Sequence, residues 1–372
     1  MSIEDASPLF LPATLSGLTL RNRVVMSAMS RYRSPGGVPN ADNLEYYERR
    51  AAAGVGLIIS EGTYIDHPGA PVYPDVPHFF GEAALAGWHR VLQAVHACGA
   101  LMAPQIWHVG AARTLGSPPD ASVPGFGPCR IDKDGHTVVL EMSREDMREV
   151  AASYARSARS AHKLGFDAVA VHGGHGYLLD QFFWNKTNRR ADEYGGDLAG
   201  RGRLACEVLR AMRAAVGADF PIIFRFSQWK ATDYEARIVE TAQELREFLM
   251  QLVRAGVDIF DVSTRRFWQP AFGTTGPTLA ALTRKLSGKP VIAVGSIGLD
   301  QPHQSKIFRT AENVASNVTD LATVHEALRR GDFDLAGVAR AILADACWVE
   351  KASRGAFHEI TPFTRASMES YL

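Results

Sequence analysis

The chain has 372 residues, 40 Lys+Arg against 40 Asp+Glu, and 46% hydrophobic residues, which is too long for one small domain and too apolar for a disordered chain. Zero formal charge and a pI near 7.2 argue against broad electrostatic binding to nucleic acid or an anionic membrane, while leaving room for a local basic pocket. Cys98, Cys129, Cys206 and Cys347 are scattered without a Cys-x-x-Cys, so a zinc ribbon, a cysteine-bound iron–sulfur cluster and a disulfide framework are all disfavoured. The start, Met1-Ser2-Ile3-Glu4-Asp5, carries acid where a signal peptide wants base. The longest apolar run, 51–59, is far short of a membrane span, and the expected location is cytoplasmic.

In chain order, short apolar runs alternate with longer amphipathic stretches. The runs are 24–29, 57–60, 100–106, 168–171, 222–226, 259–262, 291–294 and 335–338. Short, aliphatic and often β-branched, they read as strands buried on both faces of a parallel sheet. Helical periodicity runs through 40–53, 83–98, 143–164, 198–216, 242–255 and 320–330. Ser143 followed by Asp146 predicts an N-cap, and Gly99, Gly165, Gly217 and Gly256 stand where C-caps belong. Eight strand–helix units predict an α/β fold, a (β/α)8 TIM barrel, in one domain spanning 1–372. A bare barrel needs about 250 residues, leaving roughly 120. These are expected in an N-terminal hairpin (8–20), an extended capping loop after strand three (109–141), and loops 180–196, 264–277 and 298–319. A doubly wound sheet would want a Gly-x-Gly-x-x-Gly after the first strand, and 27–33 has none.

In such a barrel, chemistry gathers at the C-terminal strand ends. Those ends carry Met29, Ser30, Arg31 and Tyr32; Glu61, Gly62 and Thr63; Gln105, Trp107 and His108; His172 to Tyr177; Arg225; Ser263; Gly295 and Ser296; and Ala339 and Arg340. So many polar groups in one mouth are costly unless they bind something. If a helix begins at His172, His172 and His175 share a face and can donate to one carbonyl oxygen, with Tyr177 as a proton donor. The plainer reading is that the imidazoles cap loop carbonyls. A zinc site with His108 as third ligand is a further alternative, though no His-Glu-x-x-His or nearby carboxylate supports it. Gly295 with Arg340, at the start of a helix read over 341–350, suggests a phosphate site. Gln105 and Arg225, set in apolar runs, suit the polar edge of a flavin; the competing reading pairs Arg225 with Asp258 or Asp261.

These residues resemble the Old Yellow Enzyme family of flavin-dependent ene-reductases. The resemblance rests on Arg21–Met29, on Pro104-Gln105-Ile106-Trp107-His108, and most specifically on His172-Gly173-Gly174-His175-Gly176-Tyr177-Leu178-Leu179-Asp180-Gln181-Phe182, continuing through Asn188–Gly196. It implies an FMN-binding barrel using NAD(P)H to reduce the C=C bond of α,β-unsaturated carbonyl compounds. By resemblance, Ala28, Met29, Ser30 and Gly62 lie along the flavin; Gln105 and Arg225 hold its pyrimidine end; Ser263, Gly295, Ser296, Ala339 and Arg340 line the ribityl–phosphate end. His172 and His175 bind the substrate oxygen, Tyr177 gives the proton, and Trp107 and Tyr32 shape the pocket. No metal is implied. Departures are Ala28 for Pro, Ser30 for Thr or Cys, and Ala339 for Gly, together with the unusual segment Phe226-Ser227-Gln228-Trp229-Lys230. A flavin-dependent oxidase or demethylase on the same barrel is the alternative activity. The tail 365–372 is a candidate contact with a neighbouring subunit in a homo-oligomer.

Overall fold

The computed structural model describes residues 7–302 and 315–371. Residues 1–5 and most of the 298–319 insertion, both singled out above, therefore lie outside or partly outside the described residues. The chain opens with a hairpin, β1 (Ala13–Leu15) and β2 (Leu18–Leu20), turned at Ser16 and Gly17. Both turn residues have positive φ, 46° and 84°, which matches the twist of the paired strands.

Eight parallel strands then close a barrel. They are β3 (Val24–Met26), β4 (Leu57–Tyr64), β5 (Leu101–Trp107), β9 (Val169–His172), β10 (Ile222–Phe226), β11 (Ile259–Ser263), β12 (Val291–Val294) and β13 (Leu335–Val338), with β13 pairing back to β3. Helices α1 (Ala41–Ala52), α2 (Glu82–Ala97), α3 (Arg144–Leu164), α5 (Leu198–Val216), α6 (Ala242–Ala255), α7 (Leu279–Ser287) and α8 (Ala322–Arg330) intervene between strands. The predicted caps are present: Ser143 and Asp146 form a reciprocal capping box on α3, and each of the four predicted glycines follows its helix at positive φ. The extended loop after the third barrel strand, 109–141, holds a small sheet of β6 (Gly125–Gly127), β7 (Ile131–Lys133) and β8 (His136–Glu141).

Three elements differ from the sequence reading. The 180–196 loop begins inside a short helix, α4 (Leu178–Phe183). Helix α7 has only nine residues, too few for its periodicity to stand out, and is fixed by Thr278 accepting from Ala281 N. The helix expected over 341–350 is broken into α9 (Arg340–Ala344) and α10 (Trp348–Ser353), with extended backbone at Asp345 between them.

The barrel interior is layered by the two-residue repeat of its strands. Val25, Ala103, Ala170, Ile223, Ile259, Ile292 and Leu335 fill one apolar layer, closed from below by Leu18 and Leu20 of the hairpin. Two residues further along the same strands stand Ser27, Gln105, His172, Arg225, Asp261, Val294 and Gly337. In β4 the register shifts between Ile59 and Gly62. This bulge reverses the alternation. Ile59 belongs to the interior layer, yet the next residue facing the mouth is Gly62, while the Glu61 carboxylate meets Asn43 and Tyr47 of α1.

Candidate active site

Above the polar layer lies a cavity of about 280 Å³. It is lined by Ala28, Met29, Ser30, Tyr32, Gly62, Gln105, Trp107, His172, His175, Tyr177, Arg225, Ser263, Gly295, Ser296, Ala339 and Arg340. Every residue that the resemblance assigns to cofactor or substrate is thus brought to one place, while the strand-end residues Glu61, Thr63 and His108 lie outside the lining. Arg31, foreseen at the first strand end, also lines it, as do Trp229, Leu343, Phe363 and Met368, which were not foreseen as pocket walls. Glu61, foreseen near the mouth, is absent from the lining because of the β4 bulge. Both 109–141 and 264–277 are long loops expected to set the pocket wall; none of 109–141 lines the cavity, whereas Thr264 and Arg265 of 264–277 do.

The two imidazoles meet by a different route from the helix face predicted above. His172 ends β9, the chain turns through Gly173 and Gly174, and α4 starts only at Leu178. His175 sits at φ 62°, a left-handed conformation rare for a residue with a side chain. The turn places the two rings 5.1 Å apart, tilted at 55°. His175 Nε2 is 2.8 Å from Ser263 Oγ, and its ring lies 4.4 Å from the Trp229 ring. Tyr177 packs edge-on against Trp107 at 4.7 Å and lies 5.3 Å from His172. Tyr32 stands at the rim, 40% exposed, edge-on to Tyr73.

Burial, reinforced by the Arg225 guanidinium, pulls the His172 pKa down to about 3, so its imidazole is neutral. Burial pushes the Tyr177 phenol well above its ordinary value, helped by the neighbouring phenols of Tyr73, Tyr32 and Tyr64, so it keeps its proton. Arg225 donates to Asp261 Oδ2 at 2.7 Å and to Ser263 Oγ at 3.3 Å. The internal salt bridge weighed above is therefore real, and with Asp261 rather than Asp258, which pairs with Arg213. It coexists with Arg225 facing the cavity. His108 leaves the cluster altogether: its Nδ1 accepts from Gly110 N and its Nε2 lies 3.0 Å from His67 Nδ1. The three-histidine zinc arrangement is not assembled, and no group of three metal-binding side chains occurs among the described residues.

The donor set can be tested against a flavin mononucleotide. Gln105 Nε2, Trp107 Nε1, His172 Nδ1 and Arg340 Nη1 are buried without a hydrogen-bond partner, and all four residues line the cavity. Leaving such groups unpaired is expensive, so they mark where a polar ligand fits. Gly295 closes one end at φ 154°; a Cβ there would come within 2.5 Å of Thr264 Oγ1. A Cβ on Gly62 would strike the Trp107 ring at 2.7 Å. A ring-shaped group with an amide edge and an anionic tail matches this distribution of donors and close backbone.

The tail folds onto its own barrel. Arg31 Nη2 donates to Met368 O (3.1 Å) and Ser370 O (2.6 Å), and Tyr371 stacks on Tyr46 at 5.1 Å. Met368 and Phe363 line the cavity.

A closed parallel barrel with donors gathered at its C-terminal mouth is a (β/α)8 enzyme-type site. The sequence model of the NADH:flavin oxidoreductase / NADH oxidase family matches residues 8–315. The chain belongs to that family, and within it resembles the Old Yellow Enzymes. It is 40% identical over 220 residues to "Putative 12-oxophytodienoate reductase 2" of Oryza sativa subsp. japonica, covering 58% of each chain. It is 30% identical over 353 residues to "NADH oxidase" of Thermoanaerobacter brockii, covering 95% of this chain and 52% of that one. The match thus spans less than two thirds of either relative. Among solved structures, morphinone reductase in complex with tetrahydroNAD aligns with a TM-score of 0.77 at 26% identity, covering 94% of this chain and 91% of that chain. The Old Yellow Enzyme homologue from Zymomonas mobilis aligns at 0.74 with 25% identity, covering 94% and 93%.

Proposed function

We propose that the cavity binds FMN and that the protein uses NAD(P)H to reduce the C=C bond of an α,β-unsaturated carbonyl compound. The carrying observation is the set of buried, unpartnered donors of Gln105, Trp107, His172 and Arg340 around one cavity. Gln105 and Arg225 would hold the polar edge of the ring, and Arg340 with the backbone at Gly295 and Ser296 the phosphate. Bound FMN supplies hydride transfer from the nicotinamide to the substrate β-carbon.

The chain's own part is to bind, orient and protonate. A neutral His172 can donate one N–H to the substrate oxygen without placing a cation beside Arg225. Ser263 Oγ, accepting from Arg225, can donate to His175 Nε2, which leaves the proton on His175 Nδ1. Tyr177, held protonated by burial, would deliver its proton to the α-carbon. Phe363, Met368 and Trp229 narrow the approach and exclude water. The four unpaired thiols suit a reducing, cytoplasmic setting. An absorbance spectrum of the purified protein tests the reading: flavin bands should appear, bleach with NADPH or NADH under anaerobic conditions, and return on adding cyclohexenone. A protein that stays colourless after reconstitution with FMN overturns it.

A further inference from the structure

The segment 227–230 delivers a lysine into the protein interior. Lys230 Nζ lies 2.7 Å from Asp180 Oδ1, and both side chains are 0% exposed. Nothing in the proposed chemistry uses this pair, and neither residue lines the cavity. Fully buried ions are rare, because removing both charges from water costs more than their attraction commonly returns. A role in fixing geometry is the best-attested reason to keep one.

The geometry here says what is fixed. The other carboxylate oxygen, Asp180 Oδ2, accepts from Gly176 N at 2.6 Å. Lys230 Nζ also donates to Ser227 O at 3.4 Å. Ser227 Oγ accepts from His175 N at 2.9 Å, and Ala231 N donates to His175 O at 3.3 Å. The backbone on both sides of the His175 Cα is therefore tied to 227–231, and 227–231 is tied through Lys230 to Asp180. Asp180 in turn holds the amide between His175 and Tyr177. His175 needs such ties, since its left-handed backbone is disfavoured unless its surroundings over-determine it.

We infer that the buried Lys230–Asp180 ion pair is a positioning element that locks the His175–Gly176–Tyr177 turn, setting the substrate-oxygen donor and the proton donor relative to each other. This rests on the proposed function, and it assigns a role to two residues that touch neither cofactor nor substrate. Small displacements at a reacting centre cost about 10–10²-fold in rate. Lys230→Met should therefore slow flavin reoxidation by cyclohexenone about 10–10²-fold, while FMN content and the rate of flavin reduction stay at wild-type values.

The test compares wild type, Lys230→Met and the double variant Asp180→Asn/Lys230→Met, which removes both charges and leaves an amide oxygen for Gly176 N. Each is read by stopped-flow of the two half-reactions, by perturbation of the flavin spectrum on titration with cyclohexanone, and by hydrogen exchange of the peptide containing residues 174–180. The expected result is faster exchange confined to that peptide, weaker cyclohexanone binding and a slowed oxidative half-reaction in Lys230→Met, each partly recovered in the double variant. Should Lys230→Met fail to fold, the double variant must still show a slowed oxidative half-reaction and faster local exchange than wild type. Unchanged reoxidation and exchange, or equal slowing of both half-reactions, overturns the inference. A wild-type protein that does not bind FMN or reduce cyclohexenone overturns the functional reading instead, so the two failures are distinguishable.

Discussion

The two ends of the barrel are built from the same strands and obey opposite rules. At the N-terminal end, Val25, Ala103, Ala170, Ile223, Ile259, Ile292 and Leu335 interdigitate above the hairpin leucines, and every one is buried among carbon. One layer up, the same strands present Ser27, Gln105, His172, Arg225 and Asp261, with Ser27 Oγ, Gln105 Nε2, His172 Nδ1 and Asp261 Oδ1 unpartnered. Two residues of strand separate a layer that explains itself by packing from one that makes sense only with something bound. Stability should reside in the lower layer and chemistry in the upper, and substitutions can separate the two.

The largest effect is expected at the top. Tyr177→Phe should leave the melting temperature and flavin reduction intact and slow the oxidative half-reaction about 10²–10⁴-fold, the range for a positioned proton donor. Stopped-flow traces check it, and slowed flavin reduction would remove Tyr177 from that role. The mirror experiment is Ile223→Ala, directly below Arg225 on β10. It should cost about 2–5 kcal/mol of stability through the cavity it opens, with the turnover of surviving folded protein unchanged. His172→Ala follows, with kcat/KM for an enone down about 10²–10³-fold while FMN content is retained. Loss of FMN in that variant would mean that the imidazole belongs to the cofactor's side of the cavity.

Most of this division was legible in the sequence. Eight apolar runs at strand length gave the barrel, and the polar residues after each run gave the cavity, because both follow from local periodicity. What escaped depends on geometry the pattern does not carry. The bulge in β4 is invisible in Ile58-Ile59-Ser60-Glu61-Gly62, yet it turns Glu61 out of the mouth. His172 and His175 fit an i, i+3 helical spacing equally well, and only the Gly173-Gly174 turn decides otherwise. His108, adjacent in sequence to pocket-lining Trp107, points to His67 because alternate strand residues face opposite ways. Met368 and Phe363 reach the cavity through long-range contacts of Arg31 and Asn43 with the tail, which no local window contains.

Glu61 offers a pH test of that misplacement. Burial lifts its pKa from 4.5 to about 7, against the opposing pull of hydrogen bonds and charge from Arg31 and Tyr47. The folded state therefore binds this proton more tightly than the unfolded chain. The associated stability is fully present below 4.5 and is lost as pH rises through about 7, by at most about 1.4 kcal/mol per unit. Glu61→Gln removes this slope, so the variant should gain on the wild type in melting temperature from the acid end of that window to the neutral end. A difference that stays flat with pH would mean that the carboxylate is solvated after all.

The smallest effect concerns the phosphate end, where two consequences of one methyl compete. Ala339 lines the cavity at the start of α9 with φ −111° and ψ −94°. Replacing it with Gly removes a methyl from the surface the phosphate would approach, and also lets the unfolded chain roam more widely, which costs about 0.5–1 kcal/mol. Affinity and stability should then move in opposite directions: FMN binding tighter by up to about tenfold, or about 1.4 kcal/mol, and the apoprotein melting slightly lower. Fluorescence titration of apoprotein with FMN separates the two. Weaker binding in Ala339→Gly would show that the methyl is a contact the cofactor uses and not an obstacle to it.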